Sequence, residues 1–427
     1  MKKKTQKLLA FVVSSILTVL MLATLVNAAP YSYGEGISGG TTTFDKYLVM
    51  PKETNVPNKT FTFAISVPTA VVAGDKDNMP IYPGLSPNDV TIGTAAFVSA
   101  DTPEGGKADD GITNDVAKKY IKKTVTVDFS AVKFQEPGVY RYYITEDPAD
   151  GCSPVTGIER TLDVNVINDT SATPANPLKV DSYVLYRGHL TTRQSKTDVQ
   201  STAKDPALVT AEGDKCDSFI NKYPSQNLYV GKKVEGNQGS KDKYFKFNVS
   251  ITGLDEGTVI DVDLSHATST KITNGINPAT SGLPEDGYTN PNELTAGADG
   301  KITTVFWLQN DEFINLLGIP DGASYEVEEE SYTGDGYVTT ASSATSFSIT
   351  YKNTEDQNVT LTFDDPASGT INTATSTEDI CTGFKNTKEG VIPTGVILSV
   401  APWVIAGIVI IAGVVFFAIR SRKKYEE

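Results

Sequence analysis

Phe61-Thr-Phe-Ala-Ile-Ser-Val67 alternates apolar side chains with small or polar ones. Thr124-Val-Thr-Val-Asp-Phe129 shows the same alternation further along the chain. Because successive side chains of a β-strand point to opposite faces of its sheet, this pattern is typical of strands with one buried face. Clusters of Gly, Pro, Asn and Asp separate such runs, and no long amphipathic helix stands out. The sequence therefore predicts an all-β protein built of β-sandwiches.

The first alternating strand has a counterpart in the second half of the chain. Lys59-Thr-Phe-Thr-Phe63 matches Lys243-Tyr-Phe-Lys-Phe247, and each follows shortly after a lysine-bearing strand. Further matches come in the same order: Pro137 to Glu146 with Pro320 to Glu329, and Phe219-Ile-Asn221 with Phe384-Lys-Asn386. Such self-similarity indicates one module present twice. We predict two tandem β-sandwich domains, at residues 29–226 and 227–390.

The last 37 residues, 391–427, form a separate segment in which an uncharged run over 396–419 is followed by basic side chains. At about 1.5 Å rise per residue, a helix of that run outspans a hydrocarbon core of about 30 Å. The basic side chains favour the cytoplasmic side, so everything before residue 391 would face outward. The run alone suits an ordinary single-span anchor. Ile392-Pro-Thr-Gly395 at its outer edge makes the segment resemble the sortase sorting signals of Gram-positive surface proteins.

The other end of the chain carries an export signal. Four lysines within the first seven residues precede an apolar stretch from Leu8 to Val26 and a small-residue exit at Ala28. This pattern predicts a signal peptide over residues 1–28, cleaved after Ala28. Because the apolar stretch is longer than the usual secretory core, an uncleaved N-terminal anchor is the alternative.

The mature chain predicted by these two signals, residues 29–394, is strongly acidic. It has 29 basic and 50 acidic side chains, a net charge of −21. That charge repels nucleic acid and anionic lipid, so neither is an expected partner. A chain of 366 residues is too long for one ordinary core and suits two or three domains.

Reactive residue types are few and scattered. Cys152, Cys216 and Cys381 are too few for a disulfide framework. His189 and His266 are isolated, without the partners that nucleophilic catalysis or a metal site requires. We therefore expect no enzyme activity, no metal and no cofactor.

Each predicted module has one Lys, one Glu and one Asn on the strand face that alternation assigns to the core. These residues are Lys46, Glu146 and Asn221 in the first module, and Lys232, Glu329 and Asn386 in the second. Apolar side chains two or four residues away mark the faces: Phe44 and Leu48 beside Lys46, Tyr142 and Ile144 before Glu146, and Val230 and Val234 beside Lys232. Alternation also favours Lys232 over Lys233, which points outward.

A buried charge without a partner is costly, so these polar groups require an explanation. One is spontaneous amide formation, in which burial lowers the pKa of the lysine and raises the pKa of the glutamate. The neutral amine attacks the asparagine side chain while the acid donates to its carbonyl, and ammonia leaves. Each site would react once. The same spacing equally suits a buried Lys–Glu ion pair with Asn as a hydrogen-bond partner, or strands whose other face is buried.

The ectodomain resembles the streptococcal backbone pilin family, whose tandem Ig-like domains carry intramolecular Lys–Asn isopeptide bonds. The most specific stretches are Asp128 to Glu146, Leu228-Tyr-Val-Gly-Lys-Lys-Val234 and Phe384-Lys-Asn386. The resemblance implies the roles of nucleophile, acid and electrophile, in that order, for Lys46, Glu146 and Asn221, and again for Lys232, Glu329 and Asn386.

The resemblance also implies a sortase reaction. In this branch of the family a hydrophobic residue precedes Pro-Thr-Gly, and Ile392 and Pro393 match that motif. A sortase would cut between Thr394 and Gly395 and join the Thr394 carbonyl to a lysine of the next subunit.

Related pilins have this acceptor lysine a few residues before the bond-forming asparagine, and Lys215 lies six residues before Asn221. The segment 189–214 departs from the family because it is a long polar insertion. Its Lys196 and Lys204 are rival acceptors.

We therefore expect a structural shaft subunit of a sortase-assembled covalent pilus, used in attachment. It would be located at the cell surface, in the wall or pilus, after transient anchoring by its C-terminal helix. Expected partners are sortase, other copies of the chain, minor pilins and peptidoglycan, and the sequence identifies no host ligand. The alternative is a monomeric wall-anchored adhesin or minor pilin that sortase links to peptidoglycan.

Overall fold

The computed structural model describes residues 36–108, 112–169, 178–194, 212–267 and 289–390. These residues form β-strands and two short 3-10 helices, Pro87–Asp89 and Thr333–Asp335, which confirms the predicted all-β class. None of the helices in the described ranges has the length and apolar character that a membrane span needs. The predicted signal peptide and the sorting tail lie outside the described residues.

The strands of the first module are β1 (Ile37–Ser38), β2 (Thr41–Pro51), β3 (Lys59–Ser66), β4 (Ile81–Pro83), β5 (Thr91–Ile92), β6 (Ala95–Phe97), β7 (Glu104–Gly105), β8 (Lys118–Asp128), β9 (Lys133–Phe134), β10 (Gly138–Asp147), β11 (Ser153–Pro154), β12 (Glu159–Asn168), β13 (Leu178–Arg187), β14 (Lys215–Cys216) and β15 (Ser218–Lys222). Those of the second module are β16 (Ser225–Glu235), β17 (Phe245–Thr252), β18 (Val259–Asp263), β19 (Glu293–Thr295), β20 (Ile302–Leu308), β21 (Phe313–Pro320), β22 (Ser324–Glu329), β23 (Val338–Ala341), β24 (Phe347–Lys352), β25 (Asn358–Phe363), β26 (Ser368–Thr370) and β27 (Ile380–Thr387).

The first module has two large sheets around one core. One sheet has the order β14-β13-β12-β10-β3-β6, with β4 beside β10, and the other has the order β11-β15-β2-β8-β5, with β7 beside β8. Aromatic side chains from both sheets fill the space between them, including Phe44 and Phe219 from one and Phe61 and Phe63 from the other. The alternation in β3 that the sequence shows is therefore the buried face of a sandwich strand.

The second module repeats this plan with fewer strands. Its larger sheet has the order β19-β18-β21-β16-β27-β23, and its smaller sheet has the order β20-β17-β22-β26. A hairpin of β24 and β25 packs through Phe347 and Phe363 against Phe313 of β21, in a cluster separate from the main core. The larger sheet is thus covered on both faces.

In each module the first long strand and the last strand lie side by side in parallel. β2 pairs with β15, and β16 pairs with β27. Parallel neighbours need a crossover connection, which here is nearly the whole module. The chain therefore enters and leaves each module on adjacent strands that run in the same direction.

The two modules are in contact where the chain passes between them. Only two residues separate β15 from β16, and the predicted boundary after residue 226 falls inside β16. In the loop after β2, Thr54 Oγ1 lies 2.6 Å from Ser225 Oγ. Lys59 of the first module forms an ion pair with Asp255 of the second. These contacts lie at the ends of the paired strands, away from both cores.

Candidate functional site

Lys46 lies in the core of the first module with its side chain fully buried. Its Nζ donates to Oε2 of Glu146 at 2.8 Å and to Oδ1 of Asn221 at 2.6 Å. Nδ2 of Asn221 in turn donates to Oε1 of Glu146 at 2.7 Å. The three side chains that the sequence predicts for this site therefore form a closed triangle of hydrogen bonds.

Strand register brings these groups together. Lys46 of β2 lies opposite Phe219 of β15, so Asn221, two residues further on, is its diagonal neighbour on the same face. Glu146 comes from β10 in the facing sheet and reaches across the core. The ring of Phe61 lies 4.1 Å from the Nζ of Lys46 and closes the site on one side.

Lys232, Glu329 and Asn386 meet in the same way in the second module. Lys232 is fully buried, and its Nζ donates to Oε2 of Glu329 at 2.8 Å. Nδ2 of Asn386 donates to Oε1 of the same carboxyl group. Lys232 lies opposite Phe384, two residues before Asn386, which repeats the offset in the first module. Phe245 takes the place of Phe61, with its ring 4.2 Å from the amine.

The second set differs at the amide oxygen. Nζ of Lys232 has the backbone oxygen of Phe384 at 3.4 Å as its further acceptor. Oδ1 of Asn386 has no hydrogen-bond partner within the described parts of the chain, although it is buried. A buried carbonyl without a donor costs free energy. The second site is therefore assembled but less tightly closed than the first.

Burial determines the protonation of both lysines. Desolvation lowers the pKa of Lys46 and the pKa of Lys232 to about 8, even though the adjacent carboxylates raise them. Burial also raises the pKa of Glu329, against the opposing effect of Lys232. With a pKa of about 8, about one amine in ten is neutral at pH 7. An unprotonated amine is the form that attacks a carbonyl carbon.

This arrangement has the parts that one acyl transfer needs. In the first module the amine lies 2.6 Å from the amide oxygen, within contact of the group that it would attack. A carboxyl group that bonds both partners can take a proton from the amine and give one to the leaving nitrogen. Attack of Nζ on the asparagine side-chain carbon forms a new C–N bond, and the amide nitrogen leaves as ammonia.

The other predicted residues lie at the surface or outside the described ranges. Lys233 pairs with Asp311 at 2.6 Å, so it faces away from the core, as alternation predicts. Lys215 is exposed at the start of β14, opposite Tyr186, beside a cleft of about 410 Å³. The rival acceptors Lys196 and Lys204 lie outside the described residues, as do the sorting-motif residues Ile392, Pro393, Thr394 and Gly395.

Two buried arginines of the first module are not evident from the sequence pattern. Arg141 of β10 makes two parallel hydrogen bonds of 2.8 Å with Asp163, and its Nη1 binds the backbone oxygens of Leu190 and Thr192. Arg160 of β12 is 1% exposed. Alternation gives no sign of Arg141, because both faces of β10 are covered. The available signal was Asp163, a carboxylate between the apolar residues Leu162 and Val164 of β12.

Within the described residues, the cysteines and the metal-ligating side chains form no further site. All three cysteines, Cys152, Cys216 and Cys381, are free thiols. Burial raises the pKa of each of them, which disfavours the reactive thiolate. Across the described ranges, no group of three or more His, Cys, Asp or Glu side chains is arranged to hold a metal ion.

Both modules match known proteins. Residues 43–224 match the family described as the Spy0128-like isopeptide containing domain, FctA, and residues 226–388 match a domain of unknown function, DUF7601. A pilin of Streptococcus pyogenes serotype M1 is 27% identical over 398 residues, which is 91% of this chain and 94% of that protein. Among solved structures, the major pilin from Streptococcus pyogenes aligns at 21% identity over 83% of this chain and 100% of that one, with a TM-score of 0.46. The major pilin protein T3.2 of the same species aligns at 20% identity over 83% and 100%, with a TM-score of 0.42.

Proposed function

We propose that the chain, which is similar to a streptococcal pilin over 91% of its length, is a structural shaft subunit of a covalent, sortase-assembled pilus on a Gram-positive cell surface. Residues 1–28 direct its export, and residues 391–427 hold it in the membrane until sortase cuts after Thr394. The domains are the two modules, predicted from the sequence as 29–226 and 227–390, with their boundary at the two residues between β15 and β16, 223–224. Each crosslinks itself once, which is not enzymatic turnover.

The observation that carries this proposal is the repeated site. In two modules of different sequence, one Lys, one Glu and one Asn meet in the core, and in both the Asn lies two residues beyond the partner of the Lys. A buried ion pair adds little to folding stability, since apolar side chains can often replace it without loss of stability. Both modules nevertheless have the same three groups in the same register. This supports a reaction shared by the two modules, namely Lys–Asn amide formation with loss of ammonia.

Strand direction supports head-to-tail assembly. β2 and β15 run toward the junction between the modules, while β16 and β27 run from that junction into the second module. The described chain therefore ends at residue 390 at the far end of the second module. Lys215, three residues before β15, is separated from the second module by the length of β15. A bond from Thr394 of one copy to Lys215 of the next then gives a linear fibre.

The intact mass of recombinant residues 29–394 tests the two crosslinks. We expect the wild-type protein to be lighter than its calculated mass by two ammonia molecules. Glu146→Ala and Glu329→Ala should each be lighter by one, with the missing bond assigned by peptide mapping. The full calculated mass in a folded wild-type protein would leave two ordinary ion pairs and remove the basis of the proposal.

Polymerisation is tested on cells. Wall extracts of the unmodified strain should contain a ladder of multimers that resist sodium dodecyl sulfate. Lys215→Ala should abolish the ladder, while Lys196→Ala and Lys204→Ala, the matched controls, should keep it. A single wall-linked band in the unmodified strain would instead identify a monomeric adhesin or minor pilin attached to peptidoglycan by the same tail.

A further inference from the structure

Arg160 is a buried guanidinium in the core of the first module. The hydrogen bonds that it donates to oxygen go to backbone and hydroxyl groups rather than to a carboxylate, as far as the described residues show. Burying a cation in this way costs free energy, because desolvation is offset only by hydrogen bonds. The proposed reaction of Lys46 does not itself use this side chain, so its presence requires a separate explanation.

The contacts of Arg160 hold the start of β15. Its Nε and Nη2 both donate to the backbone oxygen of Ser218, at 3.0 and 2.9 Å. Its guanidinium carbon lies 4.2 Å from the centre of the Phe219 ring. Nη2 also donates to Oγ1 of Thr156, in the turn before β12, at 2.7 Å, and Nη1 donates to the backbone oxygen of Glu159, the first residue of β12, at 2.8 Å. Arg160 thus ties the first two residues of β15 to β12, which belongs to the opposite sheet.

β15 is the strand that positions Asn221, and its strand pairing is short. It is five residues long and follows the polar insertion 189–214. Ser218 and Phe219 are three and two residues before Asn221. A slip of one residue in β15 moves the amide by about 3.3 Å along the strand and turns it to the other face. Asn221 would then lose contact with the Nζ of Lys46.

The second module holds its asparagine differently. β27 pairs with β16 over eight residues and with β23 on its other side, whereas β15 pairs with β2 over five residues and with the two-residue β11. Residues 227–390 contain no arginine at all. The longer strand pairing of β27 therefore does without an arginine clamp.

We propose that Arg160 is a positioning residue for amide formation in the first module, clamping the start of β15 so that Asn221 stays beside the amine of Lys46. The inference rests on the proposed Lys46–Asn221 crosslink. A second, smaller contribution is electrostatic. The positive charge of Arg160 lowers the pKa of Lys46 further than burial alone, which increases the neutral amine.

The test uses residues 29–394 with Arg160→Met, which keeps a long apolar side chain, and with Arg160→Lys, which keeps the charge but not the two-pronged hold on Ser218. Loss of hydrogen bonds from a charged donor should slow the Lys46–Asn221 bond by about tenfold or more in both variants. Peptide mapping at successive times after synthesis follows each bond separately. The Lys232–Asn386 bond in the same molecule is the internal control and should form at the wild-type rate.

The outcomes separate this inference from the proposed function. A wild-type protein without the first crosslink would overturn the reaction itself. A wild-type protein with both crosslinks, together with variants that complete the first bond at the wild-type rate, would overturn only the role of Arg160. Should Arg160→Met fail to fold, Arg160→Lys alone decides, because a lysine leaves the core charge unchanged.

A pH profile distinguishes positioning at the reaction from support of the fold alone. Bond formation in the variants should accelerate as pH rises through the pKa of Lys46, which is about 8 in the wild type. The midpoint should lie higher in Arg160→Met than in Arg160→Lys, because the methionine variant lacks the nearby positive charge. Identical midpoints together with unchanged rates would mean that Arg160 acts only on the fold.

Discussion

Two adjacent lysines on β16 have opposite surroundings. Lys232 is fully buried against Glu329, whereas Lys233 pairs with Asp311 at the surface. We expect Lys232→Ala to prevent the second crosslink, so that the protein loses one ammonia instead of two. Lys233→Ala, the matched control, should still lose two. Intact mass, corrected for the substitution, measures both, and the reverse result would mean that the register of β16 is wrong by one residue.

The pKa of Lys232 predicts how stability depends on pH when the amide cannot form. Asn386→Ala keeps Lys232 and Glu329 buried together. Because the pKa of Lys232 is about 8 in the folded protein and has an ordinary value of 10.5, the unfolded chain binds more protons between these pH values. Stability of the second module should therefore rise with pH across this window, by about 3 kcal/mol at most.

Urea unfolding of Asn386→Ala at a series of pH values tests this expectation. The control is the double variant Lys232→Met with Asn386→Ala, which keeps every other titrating group but lacks the buried amine. Only the difference between the two proteins is attributed to Lys232. A difference that does not grow between about pH 8 and pH 10 would contradict the assigned pKa.

At the scale of strands, the sequence predicted most of what alternation controls. The buried faces of β3 and β8, and the inward position of Lys46 and Lys232, follow from a period of two and from apolar neighbours. Pairing the same segments in both halves of the chain also selected the two glutamates and the two asparagines. The position of these lysines, glutamates and asparagines follows from strand alternation and from segments that occur in both halves of the chain.

What the sequence could not predict depends on non-local contacts. Arg160 has no counterpart in the second module, so the repeat gives no sign of it, and its contact with Ser218 joins strands from opposite sheets. The parallel pairing of β2 with β15 brings together residues 175 positions apart. Alternation specifies which face a side chain occupies, but it does not specify the neighbouring strand.

The proposed Lys232–Asn386 bond should raise the unfolding temperature of the second module. A Lys232–Asn386 bond encloses the residues between β16 and β27, and loop-entropy estimates for crosslinks of that span give about 5 kcal/mol. Glu329→Ala should therefore lower the unfolding temperature of the second module by roughly 10–20 °C. Calorimetry should show the transition of the first module unchanged.

The neighbouring residue provides the control for that prediction. Glu328 lies on the same strand but is exposed, so Glu328→Ala changes the same charge without reaching the core. Its unfolding temperature should stay close to that of the wild type. Equal shifts in the two variants would mean that surface charge, and not the crosslink, determines the stability of this module.

For the whole molecule, the proposed acceptor lysine determines which parts of the chain bear tension. In a polymer linked at Lys215, force enters three residues before β15, passes along β15 into β16 and leaves through β27. The Lys232–Asn386 bond bridges the second module on this path. Most of the first module, residues 36–214, lies beside the path, so the Lys46–Asn221 bond fixes that module to the loaded strand and does not itself carry the axial load. Its benefit is resistance to local unfolding and proteolysis.

Single-molecule pulling with two different pairs of handle positions tests which of the two bonds carries the load. With handles at residues 215 and 390, Glu329→Ala should release about 500 Å of chain, the extended length of the segment between Lys232 and Asn386, while the wild type and Glu146→Ala should release none. With handles at residues 36 and 390, Glu146→Ala should release about 600 Å, because the segment between Lys46 and Asn221 is then in the path. A release from Glu146→Ala with the first pair of handles would show that tension reaches the first module, and that β15 alone does not transmit it.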